Sequence, residues 1–166
     1  MKALYIGSFD MFTVGHYEVL KQAEEIFDDI LICIADNSTK ERRYNKLCVA
    51  YAISQITKNK VICSKSLTTD LMIKNDIHYL IRGLRNTSDY LYEENLIKQY
   101  QILKPDIKVI YLRTNNNISS SFVFELHKRG KEIQPYLPYD KQYLWYPYLD
   151  TCKKMTAEKL QEKFER

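Results

Sequence analysis

One stretch near the start of the chain, from Tyr5 to His16, limits the possible folds more than any other. It reads Tyr-Ile-Gly-Ser-Phe-Asp-Met-Phe-Thr-Val-Gly-His, an apolar strand followed by a glycine loop and the start of an amphipathic segment. A strand, a glycine loop and a helix in this order present backbone N–H groups and a helix dipole to an anion. Gly7 is expected to let the backbone turn and approach a ligand closely. The stretch therefore predicts either an anion-binding loop, with the His16 imidazole turned towards the anion, or an ordinary strand-to-helix turn.

Apolar runs alternate with amphipathic segments along most of the chain. The runs predict strands at 3–6, 30–35, 60–63, 78–81 and 107–112. Apolar side chains at three- and four-residue steps predict helices at 16–27, 46–57, 70–75, 88–103, 118–130 and 155–164. Thr68 or Thr69 is expected to cap the third helix, and Ser88 or Asp89 to start the fourth. The predicted fold is α/β, a Rossmann-like, doubly wound sheet of about five parallel strands with helices on both faces.

Composition is that of an ordinary globular protein. The 166 residues carry a formal net charge of +4, with 45% hydrophobic and 28% charged residues. We expect one domain, with a core at 1–138 and a helical, aromatic-rich extension of it at 139–166. No run reaches the roughly 18 apolar residues of a membrane span, and nothing at the start has the pattern of a secretion signal. The four cysteines lack zinc-site spacing, so a cytoplasmic protein is expected, with buried thiols at Cys33 and Cys63.

Polar and cationic side chains follow four of the predicted strands. They are Gly7 and Ser8, Lys40, the pair Arg82 and Arg85, and the run Ser119-Ser120-Ser121. Ligands bind beyond the carboxyl ends of such strands, so the topology brings these groups to one edge. Two guanidiniums suit bidentate contacts to phosphates, and a helix start with hydroxyls suits phosphate oxygens. Taken singly, each feature also fits a solvated turn or a plain helix cap, and Lys40 is preferred over Arg42 and Arg43 by its position alone.

Two segments resemble a known family. The loop from Ser8 to His16 is similar to the signature of the nucleotidylyltransferase superfamily, whose members transfer a nucleoside monophosphate from a triphosphate to an acceptor. Ile81-Arg82-Gly83-Leu84-Arg85, followed by Asp89-Tyr90-Leu91-Tyr92-Glu93, resembles the more specific motif of the phosphopantetheine adenylyltransferase family. The resemblance extends to about Pro138. It implies transfer of AMP from ATP to 4′-phosphopantetheine, giving dephospho-coenzyme A and pyrophosphate.

The resemblance also implies roles for individual residues. Towards the acceptor, Ser8 and Lys40 contact the phosphate, Arg82 lies beside it, and Leu71 and Met72 line the pantetheine arm. Towards the nucleotide, His16 reaches the α-phosphate, and His16 and Lys40 are the implied catalytic residues. The other implied ATP-binding residues are Ser8, Phe9, Gly83, Arg85, Glu93 at the ribose, and Ser119, Ser120 and Ser121 at the triphosphate.

The implied cofactor is Mg²⁺, held mainly by substrate phosphates and water, because the chain shows no dedicated carboxylate cluster. Asp10 is open to a structural role in holding the first loop. The implied partners are ATP and 4′-phosphopantetheine, with neither nucleic acid nor membrane. The resemblance further implies a homo-oligomer, a hexamer built from two trimers.

The chain departs from the family in three places. Met11 stands where the family usually has proline, and Asn115-Asn116-Asn117 precede the serine run in place of a small apolar or aromatic residue with Ser or Thr. The aromatic residues after Pro138, Trp145 among them, either cover a subunit edge or pack on their own subunit. Two alternatives stay open, a cytidylyltransferase acting on a phosphorylated alcohol and a nucleotide-binding regulator without turnover. RNA binding is disfavoured because no aromatic-and-basic motif is present.

Overall fold

A computed structural model of the protein describes residues 1–36, 41–141 and 157–165. Its strands are β1 Lys2–Gly7, β2 Asp29–Ala35, β3 Lys60–Ser64, β4 Tyr79–Leu84 and β5 Lys108–Arg113. They form one parallel sheet in the order β3-β2-β1-β4-β5. This confirms the predicted doubly wound sheet. Because β2 and β3 lie on one side of β1, and β4 and β5 on the other, the strand order reverses between β1 and β4.

The helices within the described ranges follow the predicted order. They are α1 Val14–Glu24, α2 Lys46–Ser54, α3 Thr68–Lys74, α4 Thr87–Leu103, α5 Ser120–Lys128 and α6 Ala157–Phe164, with a 3-10 helix at Gln134–Tyr136. Two predicted helix starts were wrong. The side chain of Asn86 caps α4 by accepting the Asp89 N–H at 2.9 Å. The N-cap position of α3 is Leu67, without a side-chain cap, because Thr68 and Thr69 already lie in the helix and are buried.

Helices cover both faces of the sheet. Side chains alternate between the faces along a strand, so Ala3 and Tyr5 join one buried cluster and Leu4 and Ile6 join the other. The first cluster includes side chains of α1, α2, α5 and α6, and the second those of α3 and α4. Coverage on both faces explains why residues 30–35 form a continuous apolar run.

The helix α6 contributes to the first of these clusters. Its side chains Leu160 and Phe164 are fully buried, and the following Glu165 pairs with Lys46 at 3.2 Å. A backbone bridge joins Glu165 to Cys63 at the edge of the sheet. The end of the chain therefore takes part in the core, whereas Trp145 lies outside the described residues.

The described cysteines, Cys33, Cys48 and Cys63, are free and buried, as predicted for two of them. Burial raises the pKa of the Cys33 and Cys63 thiols to about 12, which keeps them protonated. Across the described ranges, no helix has the length and apolar character needed to cross a membrane.

Candidate active site

A cavity of about 370 Å³ opens where the strand order reverses. β1 contributes Ile6 and Gly7 to its lining, and β4 contributes Ile81, Arg82 and Gly83. In doubly wound sheets, the crevice at such a reversal is the usual place for a ligand. The other walls come from the loops after β1 and β5, the loop before α2, the first turns of α1 and α5, and the first half of α4.

The cavity brings together most of the predicted site residues. They are Ser8, Phe9, His16, Arg82, Gly83, Arg85, Glu93, Ser119, Ser120 and Ser121. Lys40, the predicted phosphate-binding lysine, lies outside the described residues. Leu71 and Met72 are not brought to this cavity, because the apolar stripe of α3 faces the sheet. They are 5% and 0% exposed in the cluster on the α3 and α4 side, and their contact with a pantetheine arm stays a prediction.

The loop after β1 has an unusual backbone. Phe9 and Met11 have positive φ angles of 40° and 99°, which residues other than glycine rarely adopt. The side chains of both residues are buried. Gly7 does not have a positive φ. A Cβ at that position would lie 2.9 Å from the Phe9 ring, so Gly7 makes room for Phe9 rather than turning the chain. Proline, which is fixed near a φ of about −65°, does not fit the backbone found at Met11.

His16 lies in the first turn of α1 with its ring lining the cavity. Its Nδ1 accepts the Thr13 backbone N–H at 3.0 Å. The ring stacks on Phe12 and meets Phe9 edge-on, with centroids 5.4 and 5.3 Å away. Burial, and to a lesser degree the charge of Arg85, lowers the pKa of His16 to about 4. The ring is therefore neutral at pH 7, and since Nδ1 is an acceptor, the proton sits on Nε2.

Arg82 lies within β4, which continues to Leu84, whereas the strand predicted from the sequence ends at Ile81. Its Nε and Nη2 donate to the Glu93 carboxylate at 2.6 and 2.5 Å, and Nη1 donates to the Ile6 carbonyl at 3.0 Å. Burial works against the charge of Arg82, but the hydrogen bonds to Glu93 outweigh it and raise the pKa of the guanidinium. Because both Glu93 oxygens hold Arg82, the observed role of Glu93 is to position that arginine. Its contact with a ribose stays a prediction.

Arg85 lies at the rim of the cavity, directly after β4. Its backbone N–H and Nε donate to Asp89 Oδ2 at 3.0 and 2.9 Å, and its Nη2 donates to Oδ1 at 3.2 Å. Since Asp89 is in turn tied to the Asn86 side chain, the start of α4 fixes the direction of the guanidinium.

The serine run forms the start of α5. Ser119 caps the helix by accepting a first-turn N–H at 3.1 Å. The Ser120 hydroxyl donates to the Met11 carbonyl at 2.7 Å, and the Ser121 hydroxyl accepts from Arg43 Nη2 at 2.9 Å. The hydroxyls thus tie α5 to the first loop and to Arg43. What α5 offers to an anion is the N–H groups of Ser120 and Ser121, the first-turn donors that the Ser119 cap does not take.

Asp10 is held by backbone donors from the segment before α2. Its Oδ1 accepts the N–H groups of Arg43 and Tyr44 at 3.1 and 2.9 Å, and its Oδ2 accepts that of Arg43 at 3.0 Å. These contacts support the structural interpretation of Asp10, which joins the first loop to the segment before α2.

The cavity is also lined by Arg42 and Arg43, two arginines that were not among the predicted site residues. Arg42 donates to the Ser8 carbonyl and Arg43 to the Ser121 hydroxyl. Lys40, Arg42 and Arg43 stand within four positions of the sequence, and Lys40 was predicted as the phosphate ligand only because of its position after a strand. No local pattern ranks them, because the contact of Arg43 is with a residue 78 positions away.

The combined arrangement suits a multiply charged anion. Four arginines line the cavity: Arg42, Arg43, Arg82 and Arg85. The neutral imidazole of His16 and the first-turn N–H groups of α5 supply further donors. Within the described ranges, no group of three His, Cys, Asp or Glu side chains is arranged to hold a metal ion. The site can therefore bind phosphates and stabilise developing negative charge.

Comparisons with known proteins point to one family. The cytidylyltransferase-like family model matches residues 4–126. A phosphopantetheine adenylyltransferase of Prochlorococcus marinus (strain MIT 9312) is 34% identical over 145 residues, covering 83% of this chain and 92% of the relative. The protein of the same name from Streptococcus pyogenes serotype M5 (strain Manfredo) is 39% identical over 143 residues, covering 81% of this chain and 88% of the relative.

Solved structures share the fold at lower sequence identity. A putative nicotinate-nucleotide adenylyltransferase from Vibrio parahaemolyticus has a TM-score of 0.58 at 17% identity, covering 82% of this chain and 92% of that one. A lipopolysaccharide core biosynthesis protein from Thermoplasma volcanium has a TM-score of 0.53 at 18% identity, covering 71% and 98%. These two likenesses concern the fold alone. The sequence relatives, by their identity and coverage, show that the chain belongs to the phosphopantetheine adenylyltransferase family of cytidylyltransferase-like proteins.

Proposed function

We propose that this protein transfers AMP from ATP to 4′-phosphopantetheine, releasing pyrophosphate and dephospho-coenzyme A. Membership of the family supports the substrates. The observation that carries the proposal is that one cavity at the sheet reversal is lined by the neutral His16, by Arg82 and by the start of α5. An imidazole donor, a fixed cation and a helix N-terminus are the groups that a triphosphate and an acceptor phosphate require.

In the proposed reaction, an oxygen of the acceptor phosphate attacks the α-phosphorus of ATP. The new P–O bond forms as the bond from the α-phosphorus to the bridging oxygen breaks, and pyrophosphate leaves with that electron pair. A phosphate monoester is already anionic at neutral pH, so no strong base is needed. The protein contributes positioning and charge stabilisation. His16 donates its Nε2–H to an α-phosphate oxygen as negative charge builds there.

On the acceptor side, Arg82 binds the phosphate, assisted by Ser8 and Lys40. Two of the Arg82 nitrogens are held by Glu93 and a third by the Ile6 carbonyl. A guanidinium held in this way loses little side-chain entropy when substrate binds. Ser8 is exposed at the cavity.

We further propose that Mg²⁺ accompanies the triphosphate. Four carboxylates line the cavity. Asp10 accepts three backbone hydrogen bonds, Asp89 and Glu93 hold arginines, and Glu41 is exposed. This donor set fits an ion held by phosphate oxygens and water. When bound, such an ion would neutralise part of the negative charge of the triphosphate.

Pyrophosphate release tests the proposed function. ATP and CTP should be crossed with 4′-phosphopantetheine and with a panel of phosphorylated alcohols, and the product identified by mass. Only ATP with 4′-phosphopantetheine is expected to give both pyrophosphate and dephospho-coenzyme A. Turnover with CTP and a phosphorylated alcohol, and none with ATP, would make the protein a cytidylyltransferase. Binding of ATP without turnover of any pair would make it a regulator.

A homo-oligomer, a hexamer by family resemblance, is part of the same proposal. Of the 17 residues of α4, Glu93 and Ile97 are buried. The same helix exposes Tyr90, Leu91, Tyr92, Ile102 and Leu103. Exposed apolar side chains in this number support burial against another subunit. Light scattering should give six times the chain mass of 19.8 kDa, and a monomer would contradict this. A cytoplasmic location is also proposed, since the free thiols suit a reducing compartment.

A further inference from the structure

Arg43 differs from the other arginines of the cavity in its partners. Those three donate to a carboxylate: Arg42 to Asp36 at 3.3 Å, Arg82 to Glu93 at 2.6 Å and Arg85 to Asp89 at 2.9 Å. Among the described residues, the nearest acid to Arg43 is Asp10, with Nε and Oδ2 3.8 Å apart. That distance is too long for a hydrogen bond.

The carboxylate of Asp10 already interacts with several other groups. Its two oxygens accept three hydrogen bonds from backbone N–H groups, and Arg42 Nη1 lies 3.8 Å from Oδ1. Asp10 therefore neutralises Arg43 less than a bidentate partner does. Of the four cavity arginines, Arg43 keeps the positive charge that is most available to a ligand.

Arg43 is nevertheless held in place. Its Nη2 donates to the Ser121 hydroxyl at 2.9 Å, and the centre of its guanidinium lies 4.7 Å from the Phe124 ring centroid. Its side chain is 27% exposed, which leaves it open to the cavity. Ser121 belongs to the first turn of α5, so a fixed cation lies beside a helix N-terminus. Both favour an anion at the same point.

We propose that Arg43 binds the terminal phosphates of ATP, those that leave as pyrophosphate. The inference rests on the proposed function, in which His16 at the start of α1 meets the α-phosphate. Arg43 contacts the start of the other helix, α5, and so acts on the leaving group. It stabilises the charge that pyrophosphate gains as the bond to the α-phosphorus breaks, without forming a bond or moving a proton itself.

The test compares Arg43→Gln with a matched control, Arg129→Gln. Arg129 lies just beyond the other end of α5 and has the same 3.8 Å contact with an acid, Glu125. The dissociation constant of inorganic pyrophosphate is measured by calorimetry, and the KM for each substrate by steady-state kinetics. For Arg43→Gln, we expect the pyrophosphate Kd and the ATP KM to rise about 10- to 100-fold, the loss of a charge-assisted contact. The KM for the acceptor and all values of Arg129→Gln should stay within about twofold of wild type.

Arg43→Lys covers the case in which Arg43→Gln does not fold, as judged by its melting curve. It keeps the charge but loses the planar fork, and we expect pyrophosphate to bind roughly three- to tenfold more weakly. Unchanged pyrophosphate and ATP binding in a folded variant overturns the assignment, and so does a rise confined to the acceptor KM. If the wild type binds pyrophosphate but forms no dephospho-coenzyme A, the proposed function fails separately, while the pyrophosphate comparison still decides the role of Arg43.

Discussion

The backbone N–H of Thr13 donates a hydrogen bond to Nδ1 of His16 at 3.0 Å. Thr13 is the N-cap of α1 and His16 its third residue, so the histidine takes the place that glutamate or glutamine has in a capping box. The bond fixes the neutral tautomer with its proton on Nε2. The capping hydrogen bond at the start of α1 therefore orients His16 so that its Nε2–H is the donor that the proposed reaction uses.

Replacing His16 by alanine should lower kcat by about 10²–10³, as loss of an oxyanion donor does elsewhere. The KM for ATP should change far less, because the contact strengthens in the transition state. Single-turnover rates and melting temperatures measured on the same preparation check this. His78→Ala is the control, since that histidine is 48% exposed beside Asp106, away from the cavity lining. A stable His16→Ala protein with near-normal turnover would remove His16 from the mechanism.

The lowered pKa of His16 predicts a pH dependence of stability. Between about pH 4, its folded value, and 6.5, its ordinary value, the unfolded chain binds the proton and the folded chain does not. The contribution is therefore fully present above pH 6.5 and is lost as the pH falls towards 4. Urea unfolding of the wild type and His16→Gln should show a difference in the free energy of unfolding that changes by about 1–3 kcal/mol across this window. Parallel curves would show that His16 titrates normally.

The parallel, doubly wound sheet and the edge that carries the site could be predicted from the sequence, whereas the lateral order β3-β2-β1-β4-β5 was not predicted. Buried parallel strands are continuous apolar runs, and the polar groups behind them must meet at the carboxyl edge. Ser8, His16, Arg82 and Ser119 could therefore be assigned to one region from the sequence alone. A structural role for Asp10 in the first loop was left open by the sequence, but its partners could not be predicted, because they lie 33 and 34 positions away.

Other features depend on contacts that no local pattern encodes. The apolar stripe of α3 predicts that Leu71 and Met72 are covered, but not whether protein or ligand covers them. Arg43 differs from the other cavity arginines in having no carboxylate within hydrogen-bond distance among the described residues and in its contact with Ser121, 78 positions away. Met11 has a φ of 99°, which nothing in the residues around it suggests.

Glu93→Gln should destabilise the protein strongly. The side chains of Glu93 and Arg82 are 9% and 17% exposed, and removing one charge leaves the other buried without its partner. We expect the free energy of unfolding to fall by about 3–5 kcal/mol, and the KM for the acceptor to rise as Arg82 loses its fixed direction. The control is Glu125→Gln, whose exposed contact with Arg129 should cost at most about 1 kcal/mol. Similar denaturation midpoints for the two variants would contradict the buried-pair interpretation.

The hydroxyl of Tyr139 reaches the back of the first loop. It accepts the Phe12 backbone N–H at 3.2 Å, and its side chain is 4% exposed. Tyr139→Phe keeps the ring but leaves that N–H buried without its acceptor. The free energy of unfolding should therefore fall by about 1–3 kcal/mol.

Phe12 stacks on His16, so Tyr139→Phe should also lower kcat while leaving the KM for ATP nearly unchanged. Tyr136→Phe is the matched control, since Tyr136 is only partly buried on the neighbouring 3-10 helix. Chemical denaturation and steady-state kinetics of both variants check the two effects. A loss of stability without a change in kcat would show that the Tyr139 hydroxyl stabilises the core but does not affect catalysis. A Tyr139→Phe protein indistinguishable from Tyr136→Phe would show that the hydroxyl does not hold the loop, because a buried N–H without an acceptor cannot be free of cost.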